Sequence, residues 1–350
     1  MAYLDNARYW VMLLVVIGHS LTQFVAMDSA RAVYVWIYSF HMPFFILISG
    51  YTAQRYMGDT RQIRRLISTL VVPYLIIETT LQLLMRHYEG KPDPLALLSP
   101  QWLGWFLAAL FVWRLTTPIW RALRYPITTS IIISLVVGLI EVPNVLALPK
   151  ILGFLPFYVV GLHMTQERFL ALTRVPVRIA AAATLVISFM ACYLYSRNWT
   201  IDWLLYKARY DESPLNATSL DGMTQRAELL VIGFVLTFAA LALVPTRESW
   251  TTAMGTRTFY CYLLHGYVIL ILDQQFGLFS ALEGYGAFAV LGTIVVAVVL
   301  ANLLMLNAVK HVFHPLFEPK LTWFFRDATP AEESRRTGEE SRRPGEESPR

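Results

Sequence analysis

The chain has 350 residues, 56% of them hydrophobic and only 15% charged, with a formal net charge of +5. Soluble domains carry about a quarter charged residues. Here the apolar residues fall in long blocks, which excludes an ordinary soluble domain and points to an all-α, polytopic membrane bundle. The positive excess follows membrane topology rather than a nucleic-acid partner.

Hydropathy gives about ten spans, near 9–27, 32–57, 66–85, 101–119, 126–142, 149–164, 176–195, 227–245, 258–276 and 285–310. The first segment has Asp5 on its flank, His19 in its core and no clear small-residue cleavage site, so it reads as a retained helix and not a signal peptide. Arg8 and His19 fall on nearly one helix face, roughly 16 Å apart along the axis. With Arg8 at the membrane surface, His19 lies about halfway through the ~30 Å hydrocarbon layer. An ionisable group there marks a functional site by default.

The turn into the second span is short, so the two helices are expected to be antiparallel neighbours with His19 and His41 at similar depth. Tyr38, His41, Ser49 and Thr52 share one arc of the second helix and form a polar stripe that faces other helices or a wet cavity. Pro43 removes an amide donor there and leaves the carbonyl of Ser39 free. The two histidines lack a third ligand with metal-like spacing, so no metal is expected and a general base with a partner fits better.

Next comes RQIRRL, with Arg61, Arg64 and Arg65 closely spaced at an expected helix N-terminus. Part of that charge is positive-inside topology. Guanidiniums beside free backbone amides also make a phosphate site. In the third span Tyr74, Glu78 and Gln82 follow at spacing four, and Glu78 near mid-membrane needs a partner. The fourth to sixth segments are interrupted by Pro118, Pro143, Pro149 and Pro156, as in tilted, broken or re-entrant helices.

The long connection near 196–226 is rich in aromatics: Tyr195, Trp199, Trp203, Tyr206 and Tyr210. They read either as an interfacial belt or as a lid with stacking surfaces for a sugar. In the ninth span, YCYLLHGY puts Thr258, Cys261 and His265 on one face. The two cysteines, Cys192 and Cys261, fall in separate spans at opposite ends of the membrane, with no disulfide expected. Residues 329–350 repeat EESRR-like charge with almost no apolar residue and are expected to be a disordered tail, leaving 1–328 as the membrane domain. Basic residues place both termini in the cytoplasm, together with Arg61, Arg64, Arg114, Arg121, Arg124, Arg247 and Arg257. Arg31, Arg86, Lys91, Lys150 and the long aromatic loop then lie outside.

Taken in order, DNARYWVMLLVVIGHS, SFHMPFFILISGY, RQIRRL followed by VPY, and YLLHGY resemble the acyltransferase 3 family of integral-membrane acyltransferases. WLGWFLAALFVWRL resembles in particular the branch related to fucose 4-O-acetylases. The resemblance implies a multi-pass protein, in a bacterial plasma membrane, that transfers an acyl group from cytoplasmic acyl-CoA, usually acetyl-CoA, to a hydroxyl of a carbohydrate, lipid or small molecule. Carried over by position, His19 matches the family's essential histidine, Arg8 the basic residue before it, and Arg61 and Arg64 its Arg-x-x-Arg motif.

His41 stands where the family does not always have histidine. The expected division of labour puts the coenzyme A phosphates on Arg61 and Arg64, with Arg8 as a further candidate contact. His19 is the general base or the transient acyl carrier, with His41 beside it. Tyr38, Ser49, Trp105, Glu78 and His265 are candidates to contact the acceptor. A proton-coupled transporter with histidine relays is the alternative reading.

Overall fold

Proline and polar residues decide where these apolar segments bend. The computed structural model describes residues 2–90 and 94–325, and every regular element among them is helical. Lys91 and the charged tail lie outside the described residues. The first helix, α1 (Ala2–Ser20), is the core of the bundle. Met12, Val15 and Val16 are almost fully buried, and α1 is packed by helices from both halves of the chain.

The second span is broken. α2 (Asp28–Tyr38) and α3 (His41–Thr52) meet at Ser39 and Phe40, where Phe40 leaves helical geometry at φ −145°. Pro43 falls in the first turn of α3, where its missing amide would have had no helical partner. The break leaves the Ile37 carbonyl facing His41. The RQIRRL stretch forms α4 (Thr60–Leu66), which runs through a widened turn into α5 (Val72–Glu89). Pro73 has no amide for the preceding turn, and Val72 N–H reaches back five residues to Ile67 instead.

α6 (Gly104–Ala122) and α7 (Pro126–Val136) follow. α8 (Leu148–Gly153) and α9 (Leu155–His163) belong to a pair of helical stretches, Val145–Gly153 and Leu155–His163, bent by 60°. Close approach fixes the crossing of α9 with α3. A Cβ on Gly50 would lie 2.1 Å from the Tyr158 carbonyl oxygen, and one on Gly161 would lie 2.0 Å from that of Leu47. Two backbones meet there because neither residue has a side chain.

α10 (Gln166–Leu172) leads into α11 (Val175–Tyr195), whose apolar side chains Val175, Ile179, Val186 and Ile187 point away from the bundle. α12 (Ser219–Leu243) packs on it. α13 (Trp250–Gly255), α14 (Thr258–Gln274), α15 (Leu278–Leu282), α16 (Ala287–Leu304) and the amphipathic α17 (Asn307–Phe317) complete the fold. The protein is an integral-membrane helical bundle.

Each of the ten expected segments contains helix, but among the described residues five helices are long and apolar enough to cross a membrane, or six if the bent pair is one span. α14 has 17 residues and Pro126–Leu139 is also short, while α1 carries Asp5, Arg8 and His19. α1 and α14 are well packed against neighbouring helices, with much of each buried. Cys192 and Cys261 are both free thiols.

Candidate active site

Three histidines from three helices converge. His19 lies one residue from the end of α1, His41 is the first residue of α3, and His265 is in the middle of α14. His265 Nδ1 donates to the Cys261 carbonyl at 2.9 Å, one turn back on its own helix. Its Nε2 is therefore the accepting nitrogen of the neutral ring, and it lies 2.8 Å from His19 Nδ1. His19 Nδ1 must then carry the proton. The consequence falls on the far side of the ring, where His19 Nε2 keeps a lone pair and can act as base or nucleophile. His41 is fixed at the break in its span, since its Nδ1 donates at 2.9 Å to the Ile37 carbonyl, which also accepts from the Phe40 amide at 3.2 Å.

His19 and His41 line one cavity of about 50 Å³, together with Tyr38, Trp102, Trp105 and Lys150. That is room for a small acyl group and little more. Tyr38 packs edge-on against His41 at 4.6 Å, and Trp102 lies 5.2 Å from His19. The Trp102 backbone has φ of +21°, a position that L residues rarely occupy. It is held by the loop before α6. Tyr262 donates to the Leu103 carbonyl, and Glu78 anchors the same loop from α5.

Lys150 and Trp102 were missed by sequence reasoning. The charge count assigns Lys150 to an outer connection, yet it enters the cavity with its ammonium 4.9 Å from the Trp105 ring. It is the one lysine or arginine among the lining residues. Leu146 and Ala147, both at positive φ, precede it and turn the chain inwards. Pro149 beside Lys150 was the available signal of a broken helix, but the direction of the bend was not written in the sequence.

Other sequence candidates lie elsewhere. The Glu78 side chain is fully buried, and its Oε1 accepts from Gln82 Nε2 and from the Gln101 amide, each at 2.7 Å. A Cβ on Gly104 would collide with Glu78 Oε2 at 2.1 Å, so this glycine makes room for the carboxylate. Glu78 thus shapes the loop that carries Trp102 and does not line the His19 cavity. Ser49 donates to the Phe45 carbonyl of its own helix at 2.9 Å and is also outside it.

Arg8 pairs with Asp5 at 2.7 Å, near enough to Arg114 for its charge to act there, as does that of Arg65. Arg114 in turn donates to the Thr52 hydroxyl at 3.4 Å. Arginines from α1, α4 and α6 therefore gather at one end of the bundle. Arg61 is exposed, and the Arg64 guanidinium stands 5.5 Å from the Phe325 ring. Of the amides at the start of α4, that of Gln62 is taken by the Asp59 carboxylate, which caps the helix by accepting from it at 2.7 Å, and that of Ile63 donates to the Asp59 carbonyl at 2.9 Å.

The aromatics of the long loop divide between exposed and buried positions. Tyr195 is 68% exposed, as in a belt, whereas Trp203, Tyr206 and Tyr210 are buried. Leu204 and Leu205 reach the His19 cavity, and Tyr206 stacks on Phe154, another lining residue, at 4.3 Å. Arg31 holds the loop by donating to the carbonyls of Ser196 and Trp199 at 2.8 and 2.6 Å. Among the described residues no cluster of three or more His, Cys, Asp or Glu side chains has the arrangement of a metal site.

The family model described as an acyltransferase domain, that of acyltransferase 3, matches residues 1–304. The chain belongs to this family. It is therefore a membrane acyltransferase, with an acyl donor and a hydroxyl acceptor as the substrates such an enzyme requires. No curated protein and no solved structure matches the chain. The matched stretch of this acyltransferase holds all three histidines, the gathered arginines and Lys150.

Proposed function

We propose that the protein is an O-acetyltransferase of a bacterial plasma membrane that moves the acyl group of cytoplasmic acetyl-CoA to a hydroxyl of an envelope carbohydrate. The observation that carries this reading is the bond between His19 and His265, which fixes the tautomer of His19 and leaves its Nε2 with a free lone pair. In the direct route, the acceptor oxygen attacks the thioester carbonyl as His19 Nε2 takes the hydroxyl proton. The C–S bond then breaks, and the proton passes from His19 to the departing thiolate. In the covalent route the same nitrogen attacks first and the C–S bond breaks to release the coenzyme A thiolate; the acceptor oxygen then takes the acyl carbon as the bond to His19 breaks, and the hydroxyl proton ends on the thiolate. Both routes develop negative charge on the carbonyl oxygen, and the Lys150 ammonium supplies positive charge in the same cavity.

Arg61 and Arg64 serve as contacts for the coenzyme A phosphates, with Arg8, Arg65 and Arg114 adding positive charge. Tyr38, His41 and Trp105 form walls for the acceptor hydroxyl and the acyl group. Family membership favours this enzyme over a transporter. The test is purified protein in nanodiscs with acetyl-CoA and a panel of sugars. Release of free thiol that depends on a sugar hydroxyl is expected. Absence of release with every donor and acceptor tried, from protein that is folded and binds coenzyme A, would contradict the reading.

A further inference from the structure

Arg226, in the second turn of α12, is 1% exposed. Its guanidinium carbon lies 4.2 Å from the Tyr206 ring centre and 5.5 Å from that of Tyr210. Its Nε and Nη1 have no hydrogen-bond partner among the described residues. The cations around it are already matched. Lys207 pairs with Asp202 at 3.3 Å, and Arg209 pairs with Asp211 at 2.6 Å while also standing 3.9 Å from both Glu141 and Glu212. A buried guanidinium with unmade N–H bonds is unfavourable, and the tyrosine faces offset only part of that.

Arg226 lines a cavity of about 60 Å³ with Glu141, Tyr206, Lys207, Arg209 and Glu212. The volume is too small for a sugar ring but suits one carboxylate or phosphate group, whose oxygens match a guanidinium fork. The cavity also adjoins the His19 site. Pro149 lines it while the next residue, Lys150, lines the His19 cavity, and Tyr206 stacks on Phe154 in the wall between them.

We infer that Arg226 and its cavity form an oxyanion subsite that holds the acidic group of the acceptor while a hydroxyl of the same molecule is presented to His19. The acceptor class is then an acidic carbohydrate, a uronate or a sugar phosphate. This assignment rests on the transferase reading; the anion site itself does not.

The test uses the full chain in phosphatidylcholine nanodiscs without acyl-CoA. Glucuronate and inorganic phosphate are titrated at constant ionic strength, with glucose as the neutral control, and the thermal midpoint is followed. A saturable rise with both anions and none with glucose is expected. Glu141→Gln removes an exposed negative charge at the rim and should tighten glucuronate roughly two- to fivefold. Arg226→Gln should lose the response. Should that variant not fold, Glu141→Gln decides.

No saturable response in the native chain, unchanged affinity in Glu141→Gln, or a folded Arg226→Gln with the native response would overturn the subsite. Loss of the glucuronate response on adding phosphatidylglycerol would overturn the acceptor assignment in favour of a lipid headgroup. His19→Ala should keep the full anion response. A protein that binds glucuronate but transfers nothing would therefore count against the transferase reading alone.

Discussion

His19 Nδ1 and His265 Nε2 lie 2.8 Å apart, and His265 Nδ1 is already committed to the Cys261 carbonyl. With both rings neutral, that leaves one arrangement of protons, in which His265 orients His19 and fixes its tautomer. His265→Ala should lower kcat by about 10- to 100-fold, the usual effect of removing a group that orients a reactive histidine. His265→Gln can still offer an acceptor to His19 Nδ1 and should recover part of the loss. Equal rates for the native protein and His265→Ala, at saturating donor, would remove His265 from the mechanism.

Lys150 is expected to act on turnover more than on donor affinity, because its charge lies in the cavity and away from the gathered arginines. Lys150→Met keeps the length of the side chain and removes the charge. It should reduce kcat by about 10²-fold or more with little change in acyl-CoA affinity, as for loss of one group that stabilises developing charge. Steady-state kinetics separate the two effects. A variant with normal kcat would leave Lys150 as a packing partner of Trp105.

Arg61→Gln with Arg64→Gln should weaken coenzyme A binding tenfold or more. Each charge-assisted contact to phosphate is worth about 1.5–3 kcal/mol. Calorimetric titration of the purified variant measures this. Unchanged affinity would return both arginines to a topological role and shift attention to Arg8, Arg65 and Arg114.

Glu78→Ala should lower stability rather than chemistry alone. It removes the hydrogen bonds from Gln82 and from the Gln101 amide; Gln82 Nε2 keeps the Ala96 carbonyl at 3.2 Å, while the Gln101 amide loses its acceptor at about 1–3 kcal/mol. The loop that carries Trp102 should loosen with it. A thermal midpoint equal to that of the native protein would show that the loop does not depend on Glu78.

Much of this was legible in the sequence because membrane physics makes polar residues conspicuous. His19, Tyr38, His41 and Trp105 stand out in apolar helices and line one cavity, and His265 meets His19. Lys150 did not stand out, because a basic residue near a segment end has a sufficient explanation in topology. It reaches the cavity from the short helix α8, just after the turn at Leu146 and Ala147. Glu78 was visible as a buried acid, but its partner turned out to be a loop amide, which sequence spacing does not reveal. The count of spans was the least legible feature, since α1 and α14 gain from packing what they lack in length or hydropathy.

His19 is the residue on which the proposed transfer depends. The direct measurement compares purified His19→Ala with the native protein, both inserted and both binding coenzyme A, for acyl transfer from acetyl-CoA to an acceptor hydroxyl. No transfer above background is expected from the variant, since no other described residue offers that lone pair in the same arrangement with His265. Transfer at the native rate would contradict this dependence.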